Sequence, residues 1–194
     1  MITKQSDFIN FKKNVFSKMD KSSAGGIDKR IRKLCDKINQ RTDIFTLSSC
    51  SGRISVLKNN SEGKIENIWV FTSHDTTTKQ EILQVLENYN GEEELYFMQE
   101  AMIMHVCVNS LELANKFINE SKNCGLNQCG IISSKKKIVV EVICDARIEL
   151  PLYDKELLFS EEYLQRIVKK ANQNQEKSWE TIQKLTDKLD EIKL

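Results

Sequence analysis

Ile44-Phe45-Thr46-Leu47-Ser48-Ser49-Cys50-Ser51-Gly52-Arg53-Ile54-Ser55-Val56-Leu57 decides the fold class of this 194-residue chain. Two short β-rich runs, 44–48 and 53–57, are joined by four small residues ending in glycine. Before this stretch the periodicity is helical. Asp7 caps a helix whose apolar residues Phe8, Phe11, Val15 and Met19 recur every three or four positions, and Ser22-Ser23-Ala24-Gly25-Gly26 breaks it. A second helix follows, with Ile27, Ile31, Leu34, Cys35 and Ile38 as its buried stripe. After it the strands continue: 65–72, 95–97, 102–108, and a hairpin of 130–133 with 138–144 around Ser134-Lys135-Lys136-Lys137. Helices over 76–88 and from Ser110 to Gly125 separate them. A last short strand precedes Pro151, the only proline, and a long helix runs from Ser160 to the end. The irregular order of strands and helices, with several adjacent strand pairs, predicts an α+β fold. Its sheet is mainly antiparallel or mixed, with flanking helices and a long C-terminal helix, and it is not a Rossmann fold.

The length predicts one domain over 1–194, with a basic helical part at 1–42 and a helical end at 160–194. Hydrophobic residues make up 40% and charged residues 29%, ordinary values for a globular protein, and the longest uncharged run is far too short to span a membrane. Six cysteines without any Cys-x-x-Cys pair, in a chain whose start lacks the apolar core of an export signal, predict reduced thiols and a cytoplasmic protein.

A net charge of +1 hides an asymmetry. Residues 1–42 carry eleven Lys/Arg against four Asp, a net +7, and the remainder is −6. Clustered cations suit a polyanion, and Arg30, Arg32, Lys33, Lys135, Lys136 and Lys137 are the candidate nucleic-acid contacts. The alternative for such a run is a solvated helix face.

The segment Ser48-Ser49-Cys50-Ser51-Gly52-Arg53 puts backbone N–H groups, hydroxyls and a guanidinium together, a chemistry for a carboxylate or a phosphate, although a plain β-turn has the same composition. Trp69-Val70-Phe71-Thr72-Ser73-His74-Asp75 reads as a strand ending in a polar cluster. Strict alternation puts Trp69, Phe71 and Ser73 on one face and leaves His74 free to point into a cleft. His74 and His105 are the only histidines. Cys50, His74 and His105 lack paired metal-ligand spacing, so no metal is expected. Neither Gly-x-Gly-x-x-Gly nor the phosphate-loop pattern occurs, so a nucleotide-like cofactor needs another kind of site.

Together, Phe45-Thr46-Leu47-Ser48-Ser49-Cys50-Ser51-Gly52-Arg53-Ile54, Trp69-Val70-Phe71-Thr72-Ser73-His74, Met104-His105-Val106, Gly125-Leu126-Asn127-Gln128-Cys129-Gly130-Ile131 and Leu150-Pro151-Leu152 resemble the tRNA wybutosine-synthesizing protein 3 family. The resemblance implies an S-adenosylmethionine-dependent methyltransferase that modifies the N-4 nitrogen of the tricyclic wybutosine precursor at position 37 of tRNA(Phe). It differs from the family pattern at Glu100-Ala101, at Cys129-Gly130-Ile131 and at Ile143-Cys144, where the family often has arginine. On this reading Ser49, Cys50, Gly52, Arg53 and Ser73 form the cofactor site, and His74, with His105 second, is the general base. A non-catalytic tRNA-binding scaffold of the same fold is the alternative, and a cysteine- or metal-dependent hydrolase is the third reading.

Overall fold

The computed structural model describes residues 5–17, 26–58 and 68–192. The expected helix break at 22–25, the turn at 59–63, the strand residues 65–67, and Lys18 and Met19 lie outside the described residues. The chain forms two compact units, each assembled from separate stretches: residues 1–51, 102–145 and 178–194 in the first, 52–101 and 146–177 in the second.

The first unit contains α1 (Gln5–Phe16), α2 (Lys29–Gln40), β1 (Ile44–Cys50), and β5 (Ile103–Val108). It also holds α4 (Leu111–Asn123), β6 (Gln128–Ser133) and β7 (Ile138–Ile143). Its sheet has the order β1-β5-β7-β6, antiparallel throughout. The expected stripe of α2 is buried through Ile31, Leu34, Cys35 and Ile38, one helical face at three- and four-residue spacing. Ser110 caps α4 by accepting from the Leu113 N–H. Gly125 ends it at φ 97°, with Gly125 N–H donating to the Lys122 carbonyl and Leu126 N–H to that of Ser121. This is a Schellman stop, which needs the left-handed conformation that glycine adopts without strain.

Helices α2 and α4 both pack on one face of this sheet. Cys35 of α2 donates its thiol to the Ser49 hydroxyl, and Cys129 of β6 donates to the Ile118 carbonyl of α4. Met104, Val106, Val140 and Val142 are fully buried. Among the described residues the other face carries α1 at one end, where Phe8, Phe11 and Phe16 meet Phe45 edge to face at 5.3, 5.5 and 5.9 Å. The Lys137 ammonium caps this contact 3.0 Å above the Phe11 ring.

The second unit contains β2 (Arg53–Lys58), β3 (Ile68–Ser73), α3 (Lys79–Glu87), β4 (Leu95–Glu100), β8 (Ile148–Asp154) and β9 (Glu156–Leu157). Residues 161–177 of α5 (Glu161–Lys188) complete it. The sheet order is β3-β2-β4-β8-β9, again antiparallel. Ile54, Val56, Leu95, Phe97 and Leu152 pack with Ile82 and Leu86 of α3 and Leu164, Val168 and Ala171 of α5. The fold is α+β with antiparallel sheets, as the sequence predicts.

Three local readings change. The helix expected from residue 76 begins at Lys79, because Thr77 exchanges hydrogen bonds with the Asn172 amide and Thr78 forms a capping box with Glu81. Pro151 lies inside β8 and not after a strand. Proline is tolerated there because β9 pairs only with Tyr153 and Asp154, and a register shift sits beside it. Strict alternation also fails in β3: Leu57 pairs with Trp69 but Val56 with Phe71, so Val70 is the extra residue of a bulge. Phe71 joins the core, while Trp69 lies under the Arg53 guanidinium, 4.3 Å away.

The polar run 172–178 of α5 turns out to be largely internal: Asn174, Gln175 and Ser178 are buried, and Asn174 donates to the Gln99 side chain at 2.9 Å. All six cysteines are free thiols. No helix among the described residues is long and apolar enough to cross a membrane.

One ion pair of the second unit gives a pH prediction. The Lys58 ammonium, the Glu93 N–H and the Tyr89 hydroxyl hold the Glu93 carboxyl at about 2, below its ordinary 4.5. A carboxyl depressed on folding contributes stability above its unfolded value and loses it as pH falls through the folded one. Glu93→Gln should therefore unfold at lower urea than wild type at neutral pH, with the gap closing between pH 4.5 and 2.

Candidate active site

The open face of the first unit's sheet is a grid fixed by register. Its first row, Phe45, Cys107, Val139 and Ser133, begins under α1. Its second is Ser48, His105, Glu141 and Gly130, and its third is Cys50, Ile103, Ile143 and Gln128. The middle row is polar and continuous. The Ser48 hydroxyl lies 2.8 Å from His105 Nδ1, and His105 Nε2 lies 2.8 Å from Glu141 Oε2. A carboxylate only accepts, so His105 donates from Nε2; in the neutral ring Nδ1 then accepts from Ser48. The side chains of His105 and Glu141 are 26% and 32% exposed, open enough to meet a ligand yet packed enough to hold their geometry.

A bulge creates this row. Thr46 pairs with Val106, but Ser48, not Leu47, pairs with His105. The extra residue, Leu47, resets the alternation, so Ser48 and Cys50 face the open side with Phe45. Ser49 then faces α2, where it accepts from Cys35.

The turn that follows does bind a carboxylate: the chain's own. Asp28 accepts from the Ser51 N–H at 2.8 Å and the Ser51 hydroxyl at 3.3 Å. Arg53, in the second unit, donates through Nε to Glu100, its cross-strand partner, and stacks on Trp69. The Ser73 hydroxyl serves a local turn with the Asp75 backbone. His74 is not left free at the strand end: its Nδ1 lies 3.1 Å from the Gly52 carbonyl, which fixes Nδ1 as the donor. Gly52 has φ 95°, a conformation that favours glycine.

Of the expected nucleic-acid contacts, Arg30 stacks 4.1 Å over the Trp179 ring and Arg32 donates to the Ile27 carbonyl at 2.6 Å. Lys33, Lys135 and Lys136 are exposed, and Lys137 is exposed while capping Phe11. Burial pushes the Cys107 thiol up to about 11 and raises those of Cys35 and Cys129, so these three stay protonated at neutral pH.

Glu141 was not among the expected site residues, although it had a signal in the sequence, as the single charge in Ile138-Val139-Val140-Glu141-Val142-Ile143. Ser48 was expected only as part of the polar turn 48–53; its direction towards His105 depends on the bulge.

A family model described as Methyltransferase TYW3 matches residues 9–191. The Thermococcus sibiricus protein named tRNA(Phe) 7-((3-amino-3-carboxypropyl)-4-demethylwyosine(37)-N(4))-methyltransferase is 36% identical over 185 residues, covering 94% of this chain and 93% of that protein. The tRNA wybutosine-synthesizing protein 3 homolog of Xenopus laevis is 32% identical over 181 residues, 90% of this chain and 71% of that one. The solved structure of the PH1069 protein from Pyrococcus horikoshii superposes with a TM-score of 0.87 at 30% identity, covering 97% of each chain. A structure from Aeropyrum pernix shares the fold at a TM-score of 0.73 and 20% identity, over 85% of this chain and 98% of that one. With the match running through both units, from α1 to the end of α5, the chain belongs to the Methyltransferase TYW3 family.

Proposed function

We propose that this chain, as one domain over 1–194 in the cytoplasm, transfers a methyl group from S-adenosylmethionine to the N-4 nitrogen of the tricyclic wybutosine precursor at position 37 of tRNA(Phe). The observation that carries the reading is the hydrogen-bonded row Ser48–His105–Glu141 on an accessible sheet face, in a chain whose relatives bear the name of that reaction.

The donor-set chemistry of this face fits the methyl donor. Glu141 offers a carboxylate with capacity beyond its bond to His105, and a cationic sulfonium beside it is electrostatically favoured. S-adenosylmethionine, when bound, supplies an electrophilic methyl group, and its transfer requires no metal. Glu141, with Cys50 in the adjoining row, would hold it. Arg53, in the second unit, remains a cation for an anionic group of donor or tRNA, in competition with Glu100.

The geometry favours His105 over His74 as the base. His74 has one ring nitrogen committed to a carbonyl, whereas His105 has an orienting carboxylate on one nitrogen and a hydroxyl on the other. Ser48 would accept the precursor's ring proton while passing its own to His105 Nδ1, as the methyl group moves from the donor's sulfur to the ring nitrogen, the S–C bond breaking as the N–C bond forms and the donor leaving as a neutral thioether. Glu141 is the positioning residue: it fixes the tautomer and offsets the charge on the imidazolium.

Purified chain should incorporate labelled methyl from S-adenosylmethionine into precursor-bearing tRNA(Phe), and no incorporation beside an active relative overturns the reading. His105→Ala should slow the transfer step by ~10²–10⁴ while leaving tRNA binding nearly intact. Its residual rate should climb with pH, as hydroxide takes over the lost base. Full activity at neutral pH returns the role to His74.

Binding of the tRNA itself is electrostatic on this reading. Arg30 and Arg32 serve internal contacts, so the cleaner test changes the exposed Lys33, Lys135 and Lys136 together to Glu. Affinity for tRNA should fall and its salt dependence should flatten, because fewer counterions are released, with donor affinity unchanged. Wild-type binding at every salt concentration marks these lysines as a solvated face.

A further inference from the structure

Trp69 is a large apolar side chain left at the surface, 37% exposed. The bulge at Val70 turns it off the core that Phe71 joins and onto the opposite face of the second unit's sheet. Register sets out that face in rows. Thr72, Ser55, Met98 and Glu149 form one, and Trp69, Leu57, Tyr96 and Pro151 the next. On the far side of the Ser55 row, Arg53 pairs with Glu100. Arg53 and Trp69 thus stand on adjacent strands, to either side of Ser55, and lean together over it: the guanidinium carbon lies 4.3 Å from the indole centroid. Ser55 is fully buried and its hydroxyl has no hydrogen-bond partner. A buried hydroxyl without a partner is unfavourable in itself, but a small residue there leaves the two larger side chains room to meet.

What this face binds follows from its charges and its planes. The charges cancel in pairs, Arg53 with Glu100 and Arg147 with Glu149, so a ring is recognised here more readily than a free anion. An indole with a guanidinium already stacked on it is a planar, preformed surface, and a nucleobase out of its helix stacks on such surfaces whatever its identity. Because the two side chains already hold each other, little freedom is lost when the ring arrives. Tyr96, half-buried, lies on the Trp69 row two strands away, about 10 Å. One base cannot cover both, which favours a strand of nucleotides with splayed bases over a single adenine-bearing molecule. Arg53 also ends the segment that begins at Ser48, the stretch of chain that the methyltransferase reading brings to the RNA.

We propose that the Arg53–Trp69 stack is the docking platform for an unstacked base of the tRNA(Phe) anticodon loop, a neighbour of the base at position 37 and not that base itself. This rests on the methyltransferase reading, which supplies the RNA.

The test measures binding of the full chain to tRNA(Phe), intact or carrying one abasic nucleotide at each loop position other than 37. Wild type should bind one of the abasic transcripts roughly 10- to 100-fold more weakly than the intact one. Trp69→Leu should weaken binding of intact tRNA by as much and lose nothing further on that transcript, whereas Trp69→Phe, which keeps a ring, should retain most of the affinity. In methylation of precursor-bearing tRNA the Trp69→Leu loss should appear in KM and not in kcat, with S-adenosylmethionine affinity at its wild-type value. Should Trp69→Leu not fold, the same comparison is read from Arg53→Lys, which keeps the charge and removes the plane. Wild-type affinity of the variant for intact tRNA overturns the inference, as does a wild type indifferent to every abasic position. An equal further loss on all transcripts assigns Trp69 to the fold, and a loss of S-adenosylmethionine affinity in its place assigns the ring to the donor's adenine; either result overturns the inference too. If wild type transfers no methyl, the functional reading fails, and the abasic comparison, a binding measurement, still decides this one.

Discussion

A single extra residue in β1 sets what the open face of the first unit can do. Without the bulge at Leu47, alternation from Phe45 would put Leu47 opposite His105 and turn Ser48 towards α2. The polar row would then be interrupted by an aliphatic side chain. With the bulge, Phe45 still packs under α1 while Ser48 reaches His105, although the two are an odd number of residues apart. The bulge leaves Leu47 at 36% exposure, a small cost in unburied apolar surface set against a hydroxyl placed at hydrogen-bond distance.

Much of the architecture is legible in the sequence because it rests on local signals. The stripe of α2, the serine cap of α4, its glycine stop and the acidic start of α5 each follow from the chemistry of a few neighbouring residues. The strands of the lysine hairpin are equally plain. The site was less legible, because both bulges, at Leu47 and Val70, arise from pairing with distant strands and reverse side-chain direction without leaving a compositional mark. Trp69 and Phe71 therefore part company, and Ser49 exchanges places with Ser48. Glu141 shows the opposite case: one carboxylate amid five aliphatic residues is a strand-level anomaly whose reason is a cross-strand histidine.

The expected anion-binding segment already meets two carboxylates of the chain. Asp28 occupies the turn at Ser51, and Glu100 meets Arg53. The donors of this turn and the Arg53 guanidinium thus meet carboxylates of the chain itself. An external anion at Arg53 replaces one charge-assisted bond with another, so the net gain is smaller than the contact by itself suggests. That arrangement suits exchange better than tight capture.

The strand that carries Gly130 is also the free margin of its sheet, with Ile131 and Ile132 37% and 55% exposed. Such a margin is a template on which a second chain could extend the sheet, and two features blunt it. The register shift around Ile132 interrupts the line of backbone donors and acceptors, and three consecutive lysines close the hairpin beside it. The lysines thus have a second physical consequence, as like charges that keep copies of the chain apart. Since that repulsion is screened by salt, self-association along β6 is the form of failure this surface invites at high ionic strength.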